Sequence, residues 1–355
     1  MNGANYEVTK TYMKFIYENF DVNNHVFLII DKKSKVPIEL MEYPNLILLE
    51  AKNNGSKLIL NYMKKYNRII LHSLFIDRKL QLQLMLQPSV MAKIYWVDWG
   101  MDLYQWKKKD QGSILLKYTN LISYLFRFKI KNFVGIFPPD IKFFKEEFRS
   151  KANTYYASYV GGLYNCAYYN NYECISLQQK KDDHKCINIQ IGHQSNPILN
   201  HDKVLEDLKK YKEEDIKIFL PLNYGDMKHG YHVMRKAKSI FGDKVVIIRR
   251  KMSKEDYMEF LSTIDIAIFN TDRQIGLGNI MPLMYWGKKI FMPSSSVMYK
   301  FFQLHNIDIS DYSKITDMNY GDFIRSVDMS GGKRYIETNI MDKDKLIKMW
   351  SKVFR

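Results

Sequence analysis

"IDIAIFNTDRQIGLGNIMPLMYWGKKIFMP" (Ile264–Pro293) decides the fold. It opens on a short apolar run, "DIAIF", with the composition of a buried strand. "IMPLMYWG" (280–287) reads as a short helix closed by Gly287, and "KKIFMP" (288–293) as a second strand. Strand, loop, helix and strand in this order make one parallel βαβ unit. Ligands of such sheets lie beyond the carboxyl ends of the strands. The segment between strand and helix, "NTDRQIGLGN" (270–279), is therefore the place to look for function. Gly276 and Gly278 let the backbone approach a ligand closely. The helix start offers N–H groups without intrahelical partners and the positive end of its dipole. Arg273 can add a bidentate phosphate contact. The combination describes a pyrophosphate cradle. It is not a dinucleotide fingerprint, because G-x-G-x-x-G is absent, and no Walker A lysine motif occurs.

The same alternation extends toward the N-terminus of this half. "CINIQIG" (186–192), "IKIFLPL" (216–222) and "KVVIIRR" (244–250) read as strands. "NHDKVLEDLKKY", "YHVMRKAKSIFG" and "SKEDYMEFLSTI" read as the helices between them. Asn200 is a candidate N-cap, Gly242 a C-terminal stop, and Ser253 with Asp256 a capping-box variant. The strand ends present "GHQSN" (192–196), "PLNYG" (221–225), "RRK" (249–251) and the glycine loop. The donor-site candidates are accordingly Gly192, Gln194, Asn223, Tyr224, Arg249, Arg250, Arg273, Gln274, Gly276, Gly278 and Asn279.

The first half alternates too. "HVFLIID", "NLILLE", "RIILHS", "KIYWVDWG" and "KNFVGIF" read as strands; "TYMKFIYENF", "SKLILNYMKKY", "SILLKYTNLISYLFRF" and "PPDIKFFKEEFRS" read as helices. Pro at the start of the last suits a first helical turn. The pattern implies mainly parallel sheets with helices on both faces. A weakly patterned, Tyr- and Asn-rich stretch separates the halves. The expected division is a first domain over 1–165, a linker over 166–185, a second domain over 186–335 and a C-terminal helix (336–355) that packs back on the first. No repeat with a period of 20–50 residues is present.

Length and composition bound the rest. The chain has 355 residues, enough for two domains with separate cores, and 46% of them are hydrophobic, which excludes a disordered protein. No apolar stretch reaches the roughly 18 residues of a membrane span, and "MNGANYEVTK" has no signal-peptide core. The reading is a cytoplasmic protein. Cys166, Cys174 and Cys186 match no zinc spacing and read as free thiols. The net charge is +16, which favours anionic partners. Its basic residues are scattered apart from "QWKKKD" and "IIRRK". A nucleic-acid-binding protein is the non-enzyme alternative, and the lack of a basic arm or motif argues against it.

In the first half, "YWVDWGMDLYQW" (95–106) holds three of the five tryptophans and two acids, Asp98 and Asp102. Aromatic groups around a carboxylate can stack on a sugar and raise the acid's pKa by desolvation, so a carboxylate here is a general-base candidate. His72, at the end of "RIILH", is another. Asp342-Lys343-Asp344 is the D-x-D instance and reads as a helix cap. No metal site is expected.

Two of these stretches carry a family resemblance. W-G-x-D-L-Y is met by Trp99, Gly100, Asp102, Leu103 and Tyr104, and R-Q-x-G-x-G by Arg273, Gln274, Gly276 and Gly278. Over roughly 71–293 the chain resembles the TDP-N-acetylfucosamine:lipid II N-acetylfucosaminyltransferases, glycosyltransferase family 56. His72 and His201 also match. The family's G-N-S loop keeps only Gly192, with His193-Gln194 in place of Asn-Ser. The resemblance implies a GT-B architecture, two doubly wound Rossmann-like domains facing across a cleft. The second domain would bind a TDP- or UDP-sugar and the first a lipid-linked saccharide. It implies no metal and no cofactor, with Arg273 and the 276–279 amides offsetting the diphosphate and Arg249 or Arg250 helping. It implies inversion, with Asp102 as base ahead of His72, and Asp98 behind both. The family's first strand, which precedes its first helix, has no counterpart here. The Lys- and Tyr-rich composition points to another deoxy- or acetamidosugar, in an O-antigen or capsule pathway. The positive charge would hold the enzyme on the anionic inner face of the cytoplasmic membrane. A nucleotide-sugar epimerase or hydrolase of the same fold is the enzyme alternative.

Overall fold

The computed structural model describes residues 6–31, 40, 42–50, 55–106, 113–159, 169–173 and 186–355. The chain forms two compact units, one of residues 1–164 with 342–355, the other of 165–341. The expected linker at 166–185, with Cys166 and Cys174, falls mostly outside the described residues, as do the lysines of "QWKKKD". The part that is described, 169–173, is helical. Trp286 donates its Nε1–H to the Tyr169 carbonyl (3.1 Å) and Tyr285 its hydroxyl to Asn170 (2.8 Å), so these residues pack on the second unit. The expectation about a first strand falls on residues 1–5, which also lie outside.

The first unit runs α1 (Tyr6–Asn19), β1 (Phe27–Asp31), β2 (Leu46–Glu50), α2 (Gly55–Lys65), β3 (Ile69–His72), α3 (Arg78–Met85), α4 (Pro88–Met91), β4 (Ile94–Val97), α5 (Met101–Tyr104), α6 (Ile114–Lys129), β5 (Asn132–Gly135), α7 (Pro138–Glu147) and β6 (Asn153–Tyr156). All pairing among the described strands is parallel. β1 and β2 form one pair, and β3-β4-β5-β6 a second sheet. A cavity of about 470 Å³ is lined by both β1 and β3, by α1 residues Tyr12 and Ile16, and by His72. β6 was not expected from the sequence, because "NTYY" has neither an apolar run nor an alternation.

The second unit runs β7 (Ile187–Ile191), α8 (His201–Leu208), β8 (Ile216–Pro221), α9 (Met227–Phe241), β9 (Val245–Ile248), α10 (Lys254–Ser262), β10 (Ile266–Ile268), α11 (Leu277–Tyr285), β11 (Lys289–Met292), α12 (Val297–Leu304), β12 (Ser310–Asp311), α13 (Tyr320–Ile324) and α14 (Ser330–Asn339). Its parallel sheet has the order β12-β11-β10-β7-β8-β9. The central strands bury Ile189, Ile191, Ile218, Leu220, Ile266 and Ile268 on one face, in one cluster with α8, α9 and α13, while Gln190 and Ala267 are buried on the other face. Ile or Leu at every second position of β7 and β8 marks this buried face in the sequence.

The final helix, α15 (Lys343–Phe354), returns to the first unit. Asp342 caps it, accepting from Lys345 N (2.9 Å). Trp350 is fully buried there, 4.9 Å from the Tyr12 ring, and donates to the Ser158 carbonyl (3.2 Å). Removing such a side chain costs about 3–5 kcal/mol. The preceding helix, α14, stays with the second unit, so the segment expected as one tail from 336 divides at about Met341.

Candidate functional site

Strand order places the site. The chain builds β7, β8 and β9 outward in one direction, then returns to add β10 and β11 on the other side of β7. The order reverses between β7 and β10, and the loops beyond their carboxyl ends diverge there. Such a switch point is where open parallel sheets bind ligands. Gly192 N donates to Ile268 O (2.9 Å) and closes the floor of the gap.

Three loops surround it. The loop after β7 carries His193, Gln194 and Ser195. The loop after β8 carries Asn223, Tyr224 and Gly225. Ser195 N and Oγ both donate to the Tyr224 carbonyl (2.8 and 2.6 Å), and Asp226 N donates to the Ser195 carbonyl (2.6 Å). A Cβ on Gly225 (φ +106°) would fall 2.6 Å from that carbonyl, so only glycine allows the two loops to touch. The loop after β10 carries Asn270, Thr271, Arg273 and Gln274, and ends at Gly276 with φ +77°. This left-handed residue starts α11 at Leu277, three residues before the start expected from the apolar run. The glycine segment is thus partly helix, with its first amides left without intrahelical acceptors.

Gly276 and His193 meet. A Cβ on Gly276 would lie 3.0 Å from His193 Nδ1, whereas a Cβ on Gly278 would meet nothing within 4 Å. His193 is 5% exposed and its Nδ1 has no hydrogen-bond partner. Burial pulls its imidazole down to about 4, so it is neutral at pH 7. Asn223 Oδ1 and Thr271 Oγ1 are also buried without partners. Buried polar atoms are nearly always paired. Three exceptions, one on each of the loops that meet at the switch point, make these groups candidates for ligand contacts. His193 was not among the sequence candidates. Its signal was position, directly after the strand that proves central.

The structure distributes the other donor-site candidates unevenly. Gly192, Gln194, Asn223, Tyr224, Arg273, Gln274, Gly276 and Gly278 all lie on the three loops or the first turn of α11. Asn279 is buried and spent on packing: its Oδ1 accepts from Tyr257 OH (2.6 Å) and Gln190 Nε2 (3.2 Å), which holds α11 against α10 and β7. Arg249 is not brought to the gap. It follows the edge strand β9, two strands or about 10 Å from β7, donates to Tyr231 OH (2.6 Å) and lies over that ring. Arg250 is exposed beside it. Asn200 does not cap α8 by its side chain; its Nδ2 donates to the Asn270 carbonyl (3.0 Å). His201 begins α8, fully buried, with Nδ1 3.2 Å from His229 Nε2.

In the first unit the candidates stand at the carboxyl ends of β3 and β4, but as architecture. Asp102 is 3% exposed. Its Oδ2 accepts from Leu74 N (2.8 Å) and Trp96 Nε1 (2.7 Å), and its Oδ1 from Trp99 N (2.8 Å). Arg127 donates to its carbonyl (2.8 Å). Burial raises this carboxyl, and the three donors and Arg127 oppose the rise. A carboxylate enclosed in this way clamps a turn. The geometry argues against its expected role as the base that takes a proton from an acceptor. His72 pairs in register with Val97. It lies edge-on to Tyr12 (4.6 Å), with Nδ1 3.3 Å from Tyr159 OH. Burial among these rings holds it down to about 3.

Asp98 is completely buried, accepting from Ile136 N (3.0 Å), and shares a hydrogen bond with Asp140. Asp140 accepts from Tyr104 OH (2.6 Å). Burial first, and then Asp140, push Asp98 well above the usual carboxylate range; burial raises Asp140 to about 7. Asp140 was missed in the sequence, where an acid after two prolines reads as ordinary first-turn helix chemistry. Among the described residues no group of three or more His, Cys, Asp or Glu could hold a metal ion.

A sequence model of the family described as 4-alpha-L-fucosyltransferase, glycosyl transferase group 56, matches residues 5–309. The fold is that of solved GT-B glycosyltransferases. A glycosyltransferase from Rickettsia africae ESF-5 is 14% identical with TM-score 0.62, over 98% of this chain and 93% of that one. Anabaena Alr3699/HepE in complex with UDP-glucose is 10% identical with TM-score 0.66, over 99% and 96%. Sucrose-phosphate synthase from Thermosynechococcus elongatus is 10% identical with TM-score 0.69, over 98% and 92%.

Proposed function

Because the chain belongs to glycosyltransferase group 56, the 4-alpha-L-fucosyltransferases, we propose that it moves an N-acetylfucosamine-like deoxy- or acetamidosugar from a TDP- or UDP-sugar to a lipid-linked saccharide. The product would enter a bacterial surface polysaccharide such as an O-antigen or capsule. The observation that carries the donor half is the gap between β7 and β10, where a glycine-led helix start meets three unpartnered buried polar atoms. The diphosphate sits on the first amides of α11, where the helix dipole favours negative charge. Arg273, half-buried in the same loop, adds the guanidinium. His193, neutral, contributes a hydrogen bond and no charge. The likeness to a fold solved with UDP-glucose supports a nucleotide sugar as donor.

The acceptor half rests on the family. Inversion calls for a base beside the acceptor hydroxyl. With Asp102 enclosed, it serves as a positioning residue for the 98–104 turn, and His72 is the remaining acid–base candidate. The dipole and Arg273 offset the leaving diphosphate in this reading, so transfer proceeds without a divalent ion and without a cofactor. The membrane's inner face is where such an acceptor would be met. Among the described residues no helix is long and apolar enough to cross a membrane.

The test is transfer itself. Purified protein is given TDP- and UDP-linked N-acetylfucosamine with a polyprenyl-diphosphate saccharide, with EDTA or with magnesium. Product on the lipid, undiminished by EDTA and lost in Arg273→Ala, is expected. Free sugar or an epimerised donor formed without acceptor would replace this reading with a hydrolase or epimerase.

A further inference from the structure

The helix α6 buries Asn120, Ser123 and Arg127 alongside Ile122 and Phe126. Arg127 donates to Ser123 Oγ (2.6 Å) and to the Asp102 carbonyl (2.8 Å), and lies over the Trp96 ring. Its outer surface is apolar. Ile114 is 83% exposed, Tyr118 55%, Leu121 53% and Phe128 48%, with Leu115 and Leu125 exposed as well. A surface helix ordinarily shows the opposite arrangement.

The spacing makes these side chains one stripe. At about 100° per residue, Ile114, Tyr118, Leu121, Leu125 and Phe128 fall within an arc of about 80°. They extend over about 21 Å of helix at 1.5 Å per residue. Lys117 and Lys129, both exposed, lie on the two flanks of that arc, about 60° to either side of its centre. The sequence "ILLKYTNLISYLFRFK" contains no acidic residue. A contiguous exposed apolar patch marks a binding surface. An apolar stripe bordered by lysines, in a chain of net charge +16, fits a bilayer of anionic phospholipid. The apolar side chains enter the acyl boundary, and the lysines meet the headgroups.

We propose that the outer face of α6 docks the first unit on an anionic membrane surface, with Tyr118, Leu121, Leu125 and Phe128 inserted and Lys117 and Lys129 on phosphate. This deepens the lipid-linked-acceptor reading and rests on it for its biological purpose, since it holds the enzyme where that acceptor lies. A second copy of the chain could also cover an apolar stripe, but lysines repeated on both copies would oppose each other across such an interface.

Vesicle co-sedimentation tests the proposal on the full chain. Wild type should pellet with vesicles of equal parts phosphatidylcholine and phosphatidylglycerol, and far less with phosphatidylcholine alone. Leu121→Ser with Leu125→Ser and Phe128→Ser should lower the partition coefficient at least about tenfold. Lys117→Glu with Lys129→Glu should lower it on the anionic vesicles only, about fivefold per lysine. Unchanged calorimetric binding of a nucleoside diphosphate would show that the variants remain folded; circular dichroism serves where that ligand does not bind. If wild type ignores anionic vesicles, or the triple variant binds them equally well, the proposal is wrong. A dimer in sedimentation velocity that the triple variant breaks, with vesicle binding unaltered, overturns it in favour of self-association. Vesicle binding with no transfer to lipid would leave the docking surface standing and sink the acceptor reading instead.

Discussion

The strand ends of the two units carry similar chemistry and use it in opposite ways. In the first unit the carboxyl groups of Asp98 and Asp102 are buried and held by backbone and ring N–H donors. In the second, His193, Asn223 and Thr271 are also buried, yet each has a polar atom with no partner. A satisfied buried group is part of the scaffold, and its removal is read in stability. The unsatisfied atoms at the switch point are, in the proposed reading, held for a ligand, and their removal is read in binding. Residue type does not separate the two cases, since an aspartate in an aromatic setting looked more catalytic than a histidine in a loop.

The sharpest break of this contrast is at Asp102. Asp102→Ala leaves the N–H groups of Leu74, Trp96 and Trp99 buried without an acceptor. At about 1–3 kcal/mol for each orphaned donor, chemical denaturation should show a loss of at least about 3 kcal/mol. The folded fraction should bind a nucleoside diphosphate normally. Turnover abolished at full stability would restore Asp102 as the base.

Next in size is Gly276→Ala. The new Cβ meets His193 Nδ1 at 3.0 Å and forces a non-glycine residue to φ +77°. Strain of about 1–3 kcal/mol at the cradle should weaken diphosphate affinity about 10- to 100-fold by calorimetry. Ala at Gly278, which faces open space, should do much less.

Asp140→Asn probes the raised carboxyl of Asp140. The folded-state pKa of Asp140 is raised to about 7 by burial, so the folded protein binds more protons than the unfolded chain between about pH 4 and 7. Stability from this group is therefore greatest below the unfolded pKa and declines as pH rises through that window. The asparagine variant should show a flatter stability profile from pH 4 to 7 in thermal melts. An unaltered profile would mean that burial does not raise the Asp140 carboxyl.

The smallest effect is expected at Arg249→Ala. With its guanidinium on Tyr231, diphosphate affinity should change less than about twofold, within the range of an ordinary surface substitution. A tenfold loss would place Arg249 in the donor site after all.

Much of the fold was legible, for physical reasons that also mark the limits. Strands with a branched apolar residue at every second position, such as "INIQI" and "IKIFLP", announce themselves by that pattern. β6, "NTYY", does not, because pairing with β5 and not burial makes it a strand. The start of α11 was misplaced because the apolar run begins at Ile280, while the left-handed backbone of Gly276 starts the helix earlier. Most of the proposed donor-site positions, Gly192, Asn223 and Arg273 among them, could be read from their place just beyond the end of a strand. His193 could not be ranked above them without the strand order, which makes β7 central. Nor does any sequence pattern reveal that Asp140 is buried against Asp98, since β4 and α7 are brought together only by the sheet.

The measurement that tests the central claim most directly is a calorimetric titration of TDP and UDP, with EDTA, into wild type, Gly276→Ala and Asp102→Asn. Metal-free binding of one diphosphate that is lost at Gly276 and kept at Asp102 is the predicted result. No binding of either diphosphate to wild type, or equal binding to Gly276→Ala, would mean that the gap between β7 and β10 is a packed turn and not a donor site.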